Sequence, residues 1–190
     1  MNIKRVLNIV PEDANCFSDI LKKIEPSSIY PYYVDINKLS FYVLRRNIKG
    51  PKPGQNDKKI FPYCYVEFLT GTYTWVNKWP DFIRPLYNLP DIIHYPEKSI
   101  LIVEGEKTAE AAKKAFPEWV ATTSSGGSNA ADKSDWSILH NRIVYISYDC
   151  DEAGIKYYNK VIEILKNIRV KEINIIQTEK LWELKNDITS

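Results

Sequence analysis

The stretch Ser99-Ile-Leu-Ile-Val-Glu-Gly-Glu-Lys-Thr108 decides the fold of the second half of the chain. It begins as an apolar run with the length of one buried strand, and the run ends at two acidic residues. A second apolar run, 142–148, is followed in the same way by Asp149 and Asp151. The carboxyl ends of neighbouring parallel strands meet at one edge of a sheet, so we expect both acidic clusters to face the same crevice.

Alternating strand and helix patterns surround these two runs. Amphipathic helical segments separate short apolar runs, a rhythm typical of a parallel sheet with helices on both faces and right-handed crossovers. The predicted strands are 99–103, 119–123, 142–148 and 171–176, and the predicted helices are 107–116, a short one within 130–139, and 152–167.

The first half of the chain has a different character. After one short amphipathic helix within 11–25, aromatic and β-branched residues are interrupted by Gly and Pro, which predicts a small, mainly antiparallel sheet. The proline-rich segment 80–96 fits no regular element and is interpreted as a connector. We therefore expect an α/β fold in two domains, a β-rich N-terminal lobe at 1–97 and a parallel-sheet domain at 98–190. The strands predicted in the lobe are 29–34, 39–46, 59–67 and 73–77.

The overall composition is that of a globular protein. With 190 residues, 44% of them hydrophobic, the chain can build one ordinary domain or two small lobes. No apolar stretch approaches the roughly 20 residues of a membrane span, and the N-terminus leads into no signal-peptide pattern, so we expect a cytoplasmic protein with no membrane partner. Cys16, Cys64 and Cys150 form no Cys-x-x-Cys pair and are interpreted as reduced core thiols.

Positive charge is concentrated between residues 38 and 59, although the net charge of the chain is only +2. This local excess of Lys and Arg can attract phosphates. The polar, turn-rich segment 49–57 predicts a mobile hairpin tip within the basic region. The candidate nucleic-acid-binding residues here are Arg45, Arg46, Lys58 and Lys59.

The acidic clusters predict a metal site. Glu104, Asp149 and Asp151 can together hold one or two Mg²⁺ ions through carboxylate oxygens and leave positions for water and phosphate. Such ions neutralise charge that develops on a phosphoryl group. The alternative is that these acids are only caps and first-turn residues of helices. Lys107 is either a phosphate-binding cation of the same crevice or a solvated helix residue.

Glycines near the acidic clusters are candidate phosphate-binding positions. Gly105 is expected to allow a tight turn and a close approach of the backbone to a ligand. The loop 122–129, which contains Gly126 and Gly127, either binds a phosphate or simply turns the chain. A P-loop is excluded, because no glycine stands five residues before Gly105.

These motifs resemble those of a known family. The run Ile102-Val-Glu-Gly-Glu-Lys-Thr-Ala109, followed by Tyr148-Asp-Cys-Asp-Glu-Ala-Gly154, is similar to the Toprim domain, the catalytic module shared by bacterial-type primases, topoisomerases and certain nucleases. Further runs resemble primase-type Toprim proteins of phages, plasmids and other mobile elements. They are Phe61-Pro-Tyr63, Arg84-Pro-Leu-Tyr87, Thr123-Ser-Ser-Gly-Gly127 and Asp135-Trp136.

The resemblance implies a DNA primase-like nucleotidyltransferase that makes short primers on single-stranded DNA. It implies that Glu104, Asp149 and Asp151 bind Mg²⁺ or Mn²⁺, that Glu104 also serves in proton transfer, and that the N-terminal lobe guides template or primer. Lys107 joins the catalytic set, and Arg84 becomes a further nucleic-acid contact. The expected partners are single-stranded DNA, nucleoside triphosphates and a replicative helicase.

Two alternatives to primer synthesis stay open. A Toprim nuclease would use the same metal ions with a different nucleophile. An inactive, nucleic-acid-binding fragment of a longer replication protein would keep the acids only as helix caps. Thr108 bears on the second alternative, because the cellular bacterial primases carry an acid at the corresponding position.

Overall fold

The computed structural model describes residues 2–52, 56–127, 129–148, 151–178 and 180. The chain divides into two compact units, Met1–Phe82 and Ile83–Ser190. Each unit has its own sheet, antiparallel in the first and parallel in the second. The predicted fold class, a helix-flanked parallel sheet preceded by a mainly antiparallel lobe, is thereby confirmed.

The antiparallel sheet of the first unit is built around one long strand. That strand, β4, pairs with β3, β1 and β5, and β3 also pairs with β2. The helix α1 lies on the aromatic face of this sheet, where Phe17 stacks on Tyr42 with ring centroids 4.6 Å apart and meets Trp75 edge-on. The elements are β1 (Ile3–Val6), α1 (Ser18–Ile24), β2 (Ser28–Asp35), β3 (Lys38–Lys49), β4 (Asn56–Phe68) and β5 (Tyr73–Asn77).

The β3–β4 hairpin is longer than the sequence predicted. Its ladder continues to the pair formed by Lys49 and Asn56, so the ends of the predicted loop 49–57 belong to the strands. Cross-strand pairing supports this polar extension, although it lacks the apolar alternation that marks a half-buried strand. Residues 53–55 of the predicted hairpin tip lie outside the described residues.

Strand β1 was not predicted, because its four residues are mostly exposed and show no apolar alternation. It is held to β4 by a buried carboxylate. Glu67 accepts hydrogen bonds from Lys4 Nζ at 2.7 Å and from Arg5 Nε at 2.6 Å, and its own side chain is only 7% exposed. The ion pairs therefore stabilise the attachment of the N-terminal strand.

This arrangement predicts a loss of stability in acid. The hydrogen bond from Lys4, together with that from Arg5, lowers the pKa of the Glu67 carboxyl below its usual value and outweighs the opposing effect of burial. A carboxyl whose pKa is lower in the folded state stabilises the fold above its unfolded pKa, and the benefit is lost as the pH falls through the folded value. We expect the free energy of unfolding of wild type, measured with urea, to fall below about pH 4.5. Glu67→Gln should lose part of this dependence, and an identical pH profile in the variant would contradict the assignment.

The second unit is a four-stranded parallel sheet in the order β7-β6-β8-β9. Short 3-10 turns, Ala131–Lys133 and Ser137–Leu139, precede β8. No helix in the described part of the chain is long and apolar enough to cross a membrane. The elements are α2 (Leu89–His94), β6 (Ile100–Ile102), α3 (Glu106–Ala115), β7 (Val120–Thr122), β8 (Ile143–Tyr148), α4 (Glu152–Asn167) and β9 (Glu172–Gln177).

Helices cover both faces of the parallel sheet. On one face, Ile102 and Ile146 pack in a cluster with the buried side of α4, including Tyr157. Successive residues of a strand point to opposite faces, so Tyr145 of β8 lies on the other face. There it stacks on Trp119, which follows α3, with ring centroids 4.6 Å apart. The two packed layers fix the carboxyl ends of the strands in place.

The division between the units falls after Phe82, whereas the sequence placed it after residue 97. The predicted connector packs with the second unit and contains α2. Its backbone is hydrogen-bonded there, since Arg84 N–H donates to Lys133 O at 2.8 Å and Tyr87 N–H donates to Thr123 O at 2.9 Å. Prolines in this segment suggested an irregular connector, but a proline is compatible with the first turn of a helix, which is where Pro90 lies.

The cysteines differ in exposure. Cys64 is buried, and burial raises the pKa of its thiol to about 11. Cys16 is exposed, so its interpretation as a core thiol is wrong, because it lies in the irregular segment before α1 and not on a sheet face. Cys150 lies outside the described residues.

Candidate active site

The carboxyl edge of the parallel sheet holds the predicted acidic residues that the structure describes. β6 pairs with both β7 and β8, and Ile102 is opposite Ile146 in the register with β8. Glu104 therefore follows β6 at the level of Tyr148, the last residue of β8. The acidic segment 149–151 begins immediately after that residue. Asp149 itself lies outside the described residues.

Asp151 has a defined structural role at this edge. It is the N-cap of α4, and its Oδ1 accepts a hydrogen bond from the Gly154 N–H at 2.7 Å. This contact satisfies one of the free N–H groups of the first turn. The predicted capping alternative thus holds for one oxygen of Asp151.

The described acidic residues carry the kind of oxygen ligand that a magnesium site uses, but they form only part of the predicted set. Within the described ranges, no three Asp, Glu, His or Cys side chains form a group that could hold a metal ion. The described part of the predicted set is Glu104 and Asp151, and it offers carboxylate oxygens, the hard ligands that Mg²⁺ prefers. Both residues follow neighbouring parallel strands, so the donor set fits such an ion. The complete predicted set includes Asp149.

Gly105 and Lys107 begin the helix that follows Glu104. Gly105 is the N-cap of α3 with φ −157° and ψ 166°, an extended conformation that any residue can adopt. The backbone at this position therefore does not depend on glycine, and the close approach of a ligand to Gly105 stays a prediction. Lys107 is exposed in the first turn of the helix, where the helix dipole disfavours a cation and favours an anion beside it.

Gly105→Ala tests whether the backbone at this position needs a glycine. A Cβ at position 105 would meet no heavy atom within 4 Å, so we expect a destabilisation of no more than about 1 kcal/mol from the weaker N-cap. Gly127→Ala is the matched comparison, because φ is +71° there and a left-handed residue with a side chain costs about 1–2 kcal/mol. Urea unfolding measures both. A larger loss for Gly105→Ala than for Gly127→Ala would contradict this view of the backbone.

The loop after β7 is anchored beneath the same edge. Residues 122–125 are buried, and the fully buried hydroxyl of Tyr157 lies 3.1 Å from Ser124 Oγ and accepts from the Ser124 N–H at 3.2 Å. Burial raises the pKa of Tyr157, an effect that the hydrogen bonds partly offset. Gly126 and Gly127 follow with φ of +91° and +71°, so the turn predicted in this loop is present.

Two residues that position this loop were not identified from the sequence. Tyr157 was interpreted only as part of the helix, although its spacing of three from buried Gly154 marks the buried face of α4. Lys156, on the exposed side, donates a hydrogen bond from Nζ to Asn129 Oδ1 at 2.7 Å and so ties the loop to the helix. Pairing of this kind between distant segments has no signal in a single sequence.

The four basic residues of the hairpin do not form one cluster. Arg46 and Lys59 are directly opposite each other and share one face of the sheet. Arg45 and Lys58 lie on the other face, where Arg45 Nε donates to Asn47 Oδ1 at 3.0 Å. The split follows from strand alternation, since neighbouring residues of a strand point in opposite directions.

Arg84 is placed differently from the hairpin residues. It is 8% exposed, and its backbone forms a parallel bridge with Ser134. A contact of this side chain with nucleic acid stays a prediction.

Comparison with known proteins agrees with the motifs at this edge. Residues 99–178 match the family model described as the Toprim domain. No curated protein matches the chain. The chain is similar to the solved structure titled E. coli primase catalytic core, with 14% sequence identity and a TM-score of 0.43. The match covers 78% of this chain and 43% of that chain, so this chain spans less than half the length of its structural relative. A likeness at this level carries no argument about activity.

Proposed function

We propose that this chain is a primase-type nucleotidyltransferase that makes short primers on single-stranded DNA with Mg²⁺ or Mn²⁺. The observation that supports it most is the register of β6 and β8 within the Toprim domain, which brings Glu104 to the level of Tyr148, next to the segment 149–151. In this proposal Glu104, Asp149 and Asp151 hold the metal ions. Bound ions would neutralise charge on the phosphoryl group during attack by a 3′-hydroxyl.

The remaining roles belong to side chains around this edge. Glu104 accepts the proton of the attacking hydroxyl, and Lys107 binds a phosphate of the nucleoside triphosphate from the first turn of α3. In this proposal, phosphate oxygens accept hydrogen bonds from the backbone N–H groups of Gly105, Gly126 and Gly127. A replicative helicase is a further proposed partner.

A second candidate is an inactive nucleic-acid-binding fragment. The N-cap hydrogen bond of Asp151 favours it, because this contact explains the residue without a metal ion. Calorimetry with Mg²⁺ separates the two: binding by wild type that is lost in the Asp149→Ala, Asp151→Ala double variant supports the enzyme. Absence of binding in wild type, or equal binding in both proteins, supports the fragment.

Activity is tested with single-stranded DNA, labelled nucleoside triphosphates and Mg²⁺. Labelled oligomers would support primer synthesis. Shortened DNA without incorporation would instead identify a Toprim nuclease. Failure of both reactions would exclude an activity of the chain alone under these conditions and leave the fragment.

Binding of single-stranded DNA by the hairpin should depend on one face of the sheet. Arg46 and Lys59 are both exposed and directly opposite each other, so one phosphate group can contact both cations. Arg46 Nη2 also lies 3.8 Å from Glu25 Oε2, an exposed ion pair of the weak kind that a phosphate can replace. The plot of log K against log salt has a negative slope, and loss of two phosphate contacts makes it less steep by about 1.4 for single strands. We expect this change in an Arg46→Ala, Lys59→Ala variant. The matched variant Arg45→Ala, Lys58→Ala should change the slope less, and equal slopes in the two variants would contradict the assignment.

A further inference from the structure

A polar cleft of about 450 Å³ lies beside α4, outside the acidic residues described above. Its floor is the exposed side of α4, and its rim includes Asn129 and Asp132, which follow Gly127 along the chain. The lining residues are Asn129, Asp132, Lys156, Asn159, Lys160 and Glu163. A volume of this size lies within the range of small-molecule sites, and it is far larger than a single ion needs.

The cleft lies near the acidic edge, which is the carboxyl edge of the parallel sheet where Glu104 and Asp151 follow their strands. Lys156 is five residues beyond the N-cap Asp151, which corresponds to about 7.5 Å along the helix axis, and Asn159 is one turn further. Asn129 is two residues beyond Gly127. The cleft therefore begins close to the acidic edge and leads away from it along α4.

The charges of the cleft disfavour a phosphate chain as its occupant. Lys156 and Lys160 are accompanied by Asp132 and Glu163, and Lys160 Nζ is paired with Glu163 Oε2 at 3.2 Å. Lys156 already donates to Asn129 Oδ1. Two carboxylates would repel a polyanion, whereas an uncharged polar group meets both donors and acceptors here.

The carboxamides supply the recognition chemistry. Each of Asn129 and Asn159 carries two N–H donors and one carbonyl acceptor, and the carboxylates accept from hydroxyl groups. Nucleobase edges and sugar hydroxyls present matching donors and acceptors. We propose that this cleft binds the nucleoside portion of the nucleoside triphosphate whose phosphates lie at the acidic edge. The inference rests on the proposed function, because that function places the phosphates there.

Calorimetry in Mg²⁺ with two probes, ATP and inorganic tripolyphosphate, tests this assignment. Wild type should bind ATP more tightly than tripolyphosphate. Asn159→Ala removes hydrogen bonds to the nucleoside and should weaken ATP binding about 3- to 10-fold, with tripolyphosphate binding unchanged. Asn167→Ala, an exposed asparagine of the same helix outside the cleft, is the matched control and should bind both probes as wild type does.

A second variant tests the cleft in case the loss of one side chain's hydrogen bonds has only a small effect on ATP binding. Asn159→Trp places a large ring in the cleft from an exposed helix position, so it should lower ATP affinity further and leave tripolyphosphate unaffected. Equal binding of the two probes by wild type, or unchanged ATP binding in both Asn159 variants, would overturn the assignment of the cleft to the nucleoside. Either result would leave the proposed function intact. Failure of wild type to bind either probe would overturn both.

Discussion

Replacement of Glu104 by Gln is expected to reduce Mg²⁺-dependent nucleotide incorporation by about a hundredfold or more, the range seen when one electrostatic group of an active site is removed. Gln keeps the size of the side chain but replaces one acceptor oxygen by an NH₂ donor, and it removes the negative charge and the basicity. Both losses affect the proposed roles of Glu104, which are metal coordination and acceptance of a proton. Incorporation of labelled nucleotide on single-stranded DNA measures the effect.

The control for this variant is Glu118→Gln, which removes one exposed carboxylate from the loop after α3. It should retain full activity. Thermal unfolding and circular dichroism of Glu104→Gln should match wild type if the loss comes from chemistry and not from the fold. Activity within a few-fold of wild type in a folded Glu104→Gln protein would contradict the proposed role of this residue.

The sequence predicts the second unit well because its inner strands, β6 and β8, are buried or half-buried on both faces. Continuous apolar runs such as 99–103 and 142–148 distinguish such strands from helices and loops, and acidic residues directly after them mark the carboxyl edge. The placement of Glu104 beside the end of β8 then follows from parallel topology. The part of the candidate site that depends on strand ends is therefore visible in the sequence.

Other features depend on partners that are distant along the chain. β1 is recognisable only through its pairing with β4 and the contacts of Glu67. The hairpin cations seemed to form one cluster because charge was counted along the chain, without the alternation that separates Arg45 from Arg46. The hydrogen bond between Tyr157 and Ser124, which holds the loop after β7, likewise depends on tertiary packing.

Helix α2 shows this dependence most clearly. It has only six residues, fewer than an isolated helix needs for stability, and its C-terminal carbonyl groups require partners. Arg142, just before β8, supplies them: its guanidinium donates to Ile92 O at 3.2 Å, Tyr95 O at 2.8 Å and Lys98 O at 2.6 Å. Burial lowers the pKa of Arg142, yet an arginine remains charged and complements the negative end of the helix dipole.

Arg142→Ala is therefore expected to lower the free energy of unfolding by about 2–3 kcal/mol, since three partly buried carbonyl groups lose a charged donor. Arg142→Lys should recover only part of this loss, because one ammonium group cannot reproduce the planar fork that reaches three acceptors. Lys171→Ala, which removes an exposed cation nearby, should stay within about 0.5 kcal/mol of wild type. Urea unfolding measures all three. If Arg142→Ala were as stable as Lys171→Ala, then α2 would be held by its apolar contacts, such as the buried Ile92, and not by the guanidinium.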